Sequence, residues 1–381
     1  MSLSFVAMAL DYGVGILIYK EEIIMRIRAG RPETNQENLL DASRRIISDC
    51  AIENGAIVAA NSDRPDYPRR VQSYRYVWPR DASYMCVAAN SAGIRDFQER
   101  FFHWLMDRAE GLMETGLLFQ NYYVNGPMRW PGRQIDQNGS MLWALEDFYK
   151  GNYPIKIRKL VTRLADGILS IWGKGFFTTM TQDLWEERYA YPELRQVHTY
   201  SLAACIKGLR CASLLNDVYG EEASLMERCL KKANMKGIIR TVGKLSDKTC
   251  DASLLGLVWP FEIYEPNAPV VDRLIRNIED SLVSGYGVRR YEHDDYDGHR
   301  QQGINARRGG GAWPILNFWM AIVLSLRGEH EKANLYEDYV IRGIKDGLIP
   351  EQIFDNPIQE GITPLGWSHA MYILYSMMKT K

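Results

Sequence analysis

Residues 313–326 read Trp-Pro-Ile-Leu-Asn-Phe-Trp-Met-Ala-Ile-Val-Leu-Ser-Leu. Only Asn317 and Ser325 break the apolar run. A helix that is apolar around its whole surface is a buried helix, whereas a surface helix shows one apolar stripe. Working outward, five further stretches share this character: 81–93 (DASYMCVAANSAG), 139–149 (GSMLWALEDFY), 198–209 (HTYSLAACIKGL), 251–261 (DASLLGLVWPF) and 365–378 (LGWSHAMYILYSMM). Each follows a loop rich in polar, aromatic, Gly or Pro residues. The six openings fall near Asp81, Gly139, His198, Asp251, Trp313 and Leu365, so successive separations are 58, 59, 53, 62 and 52 residues. That is one helical hairpin plus loops per unit.

Other segments are helical in period. Ile94–Gly111 carries Phe97, Phe101, Leu105 and Met106 on one stripe. Asn35–Cys50, opened by Asn35 as cap, Ile155–Trp172 and Pro192–Leu215 read similarly. Buried helices alternating with amphipathic ones make two concentric rings. The spacing therefore predicts an all-α fold, an (α/α)6 toroid of six inner and six outer helices over residues 35–381. Its loops gather at the N-terminal ends of the inner helices. Residues 1–34 are an N-terminal extension with strand-like alternation at Gly15–Arg28.

Bulk properties exclude several classes. The chain has 381 residues, formal net charge −1 and a pI near 6.6, so no electrostatic case exists for nucleic acid, and the short Arg307-Arg308 pair does not make one. No apolar run is long enough to span a bilayer. The six cysteines form no CxxC pair and mostly sit in apolar runs, which argues against zinc and for buried thiols in a reducing, cytoplasmic setting. No phosphate-binding glycine loop, HExxH or GxSxG motif is present. No cofactor and no metal are expected.

The loops before the buried helices hold the unusual residues. Arg80-Asp81 sits among Tyr74, Tyr76 and Trp78; a guanidinium fork and a carboxylate suit sugar hydroxyls, and a capping Asp with a structural salt bridge is the plain alternative. The second loop joins Trp130 to Arg133, Gln134 and Asp136, or is an ordinary polar turn. The third is Asp183-Leu184-Trp185-Glu186-Glu187. An indole stacks on a sugar ring, and a Glu beside another carboxylate and an indole acquires the raised pKa of a general acid. Alternatively, both glutamates begin a helix and complement its dipole. In the fifth loop, Arg290 and Tyr291 are candidate substrate contacts, and the acidic run 292–297 lacks EF-hand spacing. The sixth carries Glu351 in Pro-Glu-Gln, a general base or a surface carboxylate. Glu186 and Glu351 are 165 residues apart, three units, which sets them on opposite walls of the funnel.

Taken together, YVWPRDA at 76–82, WPGRQIDQNG at 130–139, DLWEE at 183–187, DASLLG at 251–256, RRY at 289–291, AWP at 312–314, PEQ at 350–352 and LGWSHA at 365–370 resemble glycoside hydrolase family 15, the glucoamylases and their prokaryotic relatives. The resemblance spans about residues 55–378. It implies Glu186 as general acid and Glu351 as general base in inverting hydrolysis of α-glucosidic bonds. It implies Arg80 and Asp81 at the sugar on the non-reducing side, and Trp78 and Trp130 along the funnel. Tyr74 would stand near the scissile bond, Glu187 and Arg290 would hold sugars, and Asp183 would support the acid's loop. The implied substrate is an α-linked oligosaccharide or polysaccharide, with short oligosaccharides expected over starch granules. A trehalase, an isomaltose- or dextran-directed relative, a sugar phosphorylase, and a non-catalytic regulatory toroid remain open alternatives.

Overall fold

The computed structural model describes residues 36–298 and 310–379. The extension expected at 1–34 with its stretch Gly15–Arg28, the cap Asn35 and the Arg307-Arg308 pair lie outside the described residues. The chain divides into two compact units, Met1–Leu39 and Leu40–Lys381; the second carries the site.

Eleven helices of ten or more residues occur among the described residues. They are α1 (Gln36–Asp49), α2 (Pro79–Ser91), α3 (Gln98–Arg108), α4 (Asp136–Tyr149), α5 (Ile155–Ser170), α6 (Thr199–Ala212), α7 (Asp217–Ala233), α8 (Pro269–Leu282), α9 (Pro314–Leu326), α10 (His330–Gly343) and α11 (Gly366–Lys379). In the order α2, α4, α6, the 3₁₀ segment Ala252–Leu257, α9 and α11, each element packs on the next, and α11 returns to α2. This closed ring is the inner wall of the toroid.

Sequence pattern explains the two rings. Every residue from Pro314 to Leu324 in α9 is buried. The outer helix α8 buries only Val271, Leu274, Ile275, Ile278 and Leu282, one stripe at helical period. Each fully buried Leu, Ile or Phe contributes roughly 1.5–3 kcal/mol over an exposed one. Inner helices α4 and α6 cross closely at two glycines. A Cβ on Gly139 would stand 2.1 Å from the Ala204 carbonyl oxygen, and one on Gly208 would stand 2.6 Å from the Gly139 Cα. Alanine at either position would force the helices apart.

Aromatic rings plug the centre of the ring. Tyr84 of α2 contacts Trp143 of α4 at 5.2 Å, Trp319 of α9 at 5.9 Å and Trp367 of α11 at 5.0 Å between centroids. Tyr200 of α6 adds an edge contact to Trp319 at 5.9 Å.

Two expectations need correction. The fourth buried stretch, 251–261, is not an α-helix but the short 3₁₀ segment Ala252–Leu257. Pro260 lacks a backbone N–H and cannot continue a helix. A Cβ on Gly256 would also press on Tyr200, Trp319 and Phe261 at 2.9–3.2 Å, so the chain turns where the plug is tightest. In 192–215 the α-helix begins only at Thr199; Val197–His198 instead pairs with Thr241–Val242 as a two-residue antiparallel ladder.

Candidate active site

At the loop end of the toroid the walls enclose a cavity of about 540 Å³. Trp367, already in contact with Tyr84, lines it and so joins the aromatic plug to the cavity. Nine residues singled out from sequence line it together: Tyr74, Trp78, Arg80, Asp81, Trp185, Glu186, Glu187, Arg290 and Glu351.

The Glu186 loop is a closed turn rather than a helix start. The ladder Thr181–Gln182 with Tyr189–Ala190 pinches its base. Asp183 fills the inside: its Oδ1 accepts from the backbone N–H groups of Glu187 at 3.0 Å and Arg188 at 3.1 Å, and its Oδ2 accepts from Arg240 at 2.7 Å. Gln134 donates to the Asp183 carbonyl at 2.6 Å. Held this way, Glu186 adopts φ +67°, a left-handed conformation that is uncommon for a non-glycine residue and clusters at functional sites. Its Oε1 accepts from Trp78 Nε1 and its Oε2 from Gln120 Nε2, each at 2.5 Å. Its side chain retains 28% of its accessible surface. Burial pushes the carboxyl up to about 7, against the opposing pull of Arg80 and the Trp78 hydrogen bond.

Glu351 is buried, 3% exposed. Its loop is fixed from below: Ser368 donates to the Pro350 carbonyl at 2.8 Å, and the Ile349 N–H donates to His369 Nε2 at 2.9 Å. His369 in turn bonds Ser43 through Nδ1 at 2.9 Å. Among the described residues the Glu351 Oε2 has no hydrogen-bond partner. Burial pushes this carboxyl to about 7 as well, with Arg290, the Tyr74 hydroxyl and Gln352 pulling the other way. Asp81 raises both glutamates.

Arg80 and Asp81 lie in the first turn of α2, after Pro79 at its first position. The N-cap residue, Trp78, makes no side-chain capping bond. Asp81 is buried, its Oδ2 accepts no hydrogen bond among the described residues but stands 3.7 Å from the Arg80 Nε, and burial lifts it to about 6. Arg80 donates to Asp136 at 3.1 Å and Gln134 at 3.2 Å, and its NH2 nitrogen stands 4.0 Å from Glu186. The second loop thus orients a cation beside Glu186. Arg290 is clamped by Asp294 at 2.8 and 2.7 Å and donates to Glu187 at 2.8 Å. The rings of Trp185, Tyr296 and Trp313 surround it at 4.8–5.2 Å. Asp294, from the acidic run, is therefore an ion-pair partner.

Four sequence candidates do not line the cavity. Trp130 is 52% exposed, on the edge of the short ladder formed with Asn121–Tyr122. Arg133 stacks over Phe119 at 4.8 Å. Tyr291 is turned to Glu187, to which its hydroxyl donates, and Asp183 lies inside its own turn. Conversely, Gln120, Tyr296, Trp313 and Trp367 were missed. The two tryptophans open apolar helices, where they read as core. Tyr296 shares a hydrogen bond with Tyr74 at 2.6 Å and lay in the run read for its acids. The Arg240–Asp251 pair, 3.1 Å, also escaped notice. Asp251 accepts the Trp185 indole N–H at 3.1 Å and so ties the third loop to the fourth. No group of three or more His, Cys, Asp or Glu residues forms a metal-binding cluster among the described residues.

Residues 42–127 match the model of glycosyl hydrolases family 15, a stretch that holds Tyr74, Trp78, Arg80 and Asp81. An uncharacterized glycosyl hydrolase of Methanocaldococcus jannaschii is 30% identical over 94% of this chain and 59% of its own length. A glucoamylase of a Clostridium species is 23% identical over 79% of this chain and 46% of its own length. The chain thus spans about half the length of these curated relatives. Among solved structures, a glycosidase variant in complex with glucose superposes with TM-score 0.73 at 20% identity, covering 92% of this chain and 99% of that one. A bacterial glucoamylase complexed with acarbose superposes with TM-score 0.71 at 21% identity, covering 90% of this chain and 56% of that one. Both likenesses show the toroidal fold.

Proposed function

Because the chain carries a glycoside hydrolase family 15-like domain, we propose that it hydrolyses α-glucosidic bonds with inversion, Glu186 acting as general acid and Glu351 as general base. The observation that carries this reading is the pair itself. Two carboxyls in one cavity are both pushed to about 7, one bonded through both oxygens and one with a buried oxygen that has no hydrogen-bond partner among the described residues. A pair of this kind holds one acid and one base near neutral pH.

The atoms then balance simply. Protonated Glu186 gives its proton to the glycosidic oxygen as the bond from that oxygen to the anomeric carbon breaks. Trp78 and Gln120 hold the carboxylate that results. Glu351 takes one proton from a water molecule whose oxygen bonds the anomeric carbon from the opposite face, so the α-linkage yields a β-anomer. Arg80 and Asp81 bind the hydroxyls of the sugar over Trp367, and Arg290 with Glu187 fixes the opposite rim. The enzyme acts on the ends of α-linked oligosaccharides or polysaccharides. Six free cysteines suit a reducing compartment such as the cytoplasm.

The test is product anomer by NMR on maltose, isomaltose, trehalose and maltopentaose, with Glu186→Gln and Glu351→Gln beside the wild type. Immediate β-glucose, lost in both variants, is the expected result. Initial α-glucose, or turnover that survives both substitutions, would overturn the assignment.

A further inference from the structure

A second cavity of about 520 Å³ adjoins the first, sharing Gln72, Ser73 and Arg129 with it. Among the described residues its charged lining is Arg69, Arg70 and Arg129, with no acidic side chain. Neighbouring arginines are neutralised: Arg64 pairs with Asp49 and Asp66, and Arg75 with Asp63. Among the described residues, Arg69, Arg70 and Arg129 have no such carboxylate partner. Like charges brought together without counter-charge repel, and this arrangement is satisfied by an anionic ligand. The guanidinium fork matches phosphate and carboxylate geometry.

A run of contacts joins this cavity to the acid. Trp78, which donates to Glu186, packs edge-on against Tyr76 at 6.3 Å. Tyr76 carries the Arg129 guanidinium 4.1 Å from its ring centre. Gln120, the other donor to Glu186, precedes Asn121, which pairs with Trp130 beside Arg129. The acid faces the leaving group, so whatever lies toward Arg129 is the sugar that departs. Resting on the glycosidase reading above, we propose that Arg69, Arg70 and Arg129 form an anion subsite. It binds a phosphate or carboxylate group carried by the leaving sugar, making acidic α-glucosides the preferred substrates.

The test compares maltose, maltobionate (carboxylate on the leaving residue) and maltose bearing a phosphate on its reducing glucose. Wild type and the double variant Arg69→Gln/Arg70→Gln are assayed for kcat/KM. Calorimetric affinities are measured in wild type and, to exclude turnover, in the Glu186→Gln background. Both arginines are exposed, so the double variant leaves the core untouched. Charge-assisted hydrogen bonds predict at least one acidic substrate favoured over maltose by roughly tenfold or more. That ratio falls toward one in the double variant and shrinks with added salt. Which acidic substrate shows the preference identifies the anion. Equal binding of neutral and acidic disaccharides, or a preference unchanged in the double variant, overturns the subsite. Selective, arginine-dependent binding of an acidic disaccharide without turnover of any α-glucoside would instead sink the glycosidase reading and leave the subsite standing.

Discussion

The loops of Glu186 and Glu351 place chemically identical side chains in one cavity by different means. The Glu186 turn is built from its own chain: a two-residue ladder, Asp183 bonded to two backbone N–H groups, and a left-handed residue at the tip. Its carboxyl is gripped through both oxygens. The Glu351 loop is held by α11 behind it, through Ser368 and His369, and its carboxyl is buried with one oxygen unused among the described residues. A gripped group is suited to aim a proton at one atom. A buried group with a spare lone pair is suited to orient a small molecule such as water. The contrast shows that local turn chemistry and global packing can each deliver a carboxyl into one cavity, where burial raises both.

The largest effect that would break this comparison comes from the leaving group. Each Gln variant should lose roughly 10²–10⁴-fold in kcat on maltose. On α-glucosyl fluoride, whose leaving group needs little protonation, Glu186→Gln should recover most of its activity and Glu351→Gln should not. Equal recovery, or recovery by Glu351→Gln alone, would reverse or erase the assigned roles.

A smaller effect should follow from Asp183→Asn. The substitution removes the charge opposite Arg240 but keeps an oxygen for the Glu187 and Arg188 N–H groups. The Glu186 turn loosens, and kcat should fall roughly tenfold with little change in KM, as expected when a transition-state interaction is lost. The alkaline limb of the pH–rate profile should move with it, because Asp183 is one of the charges that raise Glu186. A change in KM alone would mean that Asp183 serves binding and not the acid's position.

The smallest effect sharpens the comparison through stability. Glu351 has a folded pKa of about 7 against an unfolded value of about 4.3. Between those values the folded protein keeps a proton that the unfolded chain releases, so this group lowers stability as pH rises through that window. Glu351→Gln should therefore raise Tm by a few degrees at pH 8 and hardly at all at pH 4. The same series reads His369, buried, neutral and lowered to about 3; it contributes stability that falls away as pH drops below its unfolded value of about 6.5. A Glu351→Gln gain that is the same at both pH values would show that repacking, not the charge, is responsible.

Much of this architecture was legible beforehand. Trp313–Leu326 could only be buried, and five similar stretches at near-regular spacing implied a closed ring. Glu186 and Glu351 stood out because acids beside aromatic or proline residues at two helix mouths, three units apart, fit no core pattern. The loop residues were harder. Trp130 and Arg133 share a loop with Gln134 and Asp136, yet only the latter two point inward, to Arg80. Trp313 and Trp367 read as core and line the cavity because each stands at the first turn of its helix.

By itself the sequence determined the alternation of buried and one-sided helices, since burial of an apolar surface depends on residue type and period alone. It also determined which loops hold the acids, the guanidinium groups and the rings. Tertiary structure alone decided which of those side chains face the cavity, because facing depends on turn geometry and on partners far away in sequence, such as Asp136, 56 residues from Arg80, and Ser43, 326 residues from His369. It decided that the fourth inner element is a 3₁₀ segment, through the space left by Tyr200, Trp319 and Phe261. It also raised both carboxyls toward neutrality, because desolvation is a property of the assembled walls and not of any one segment.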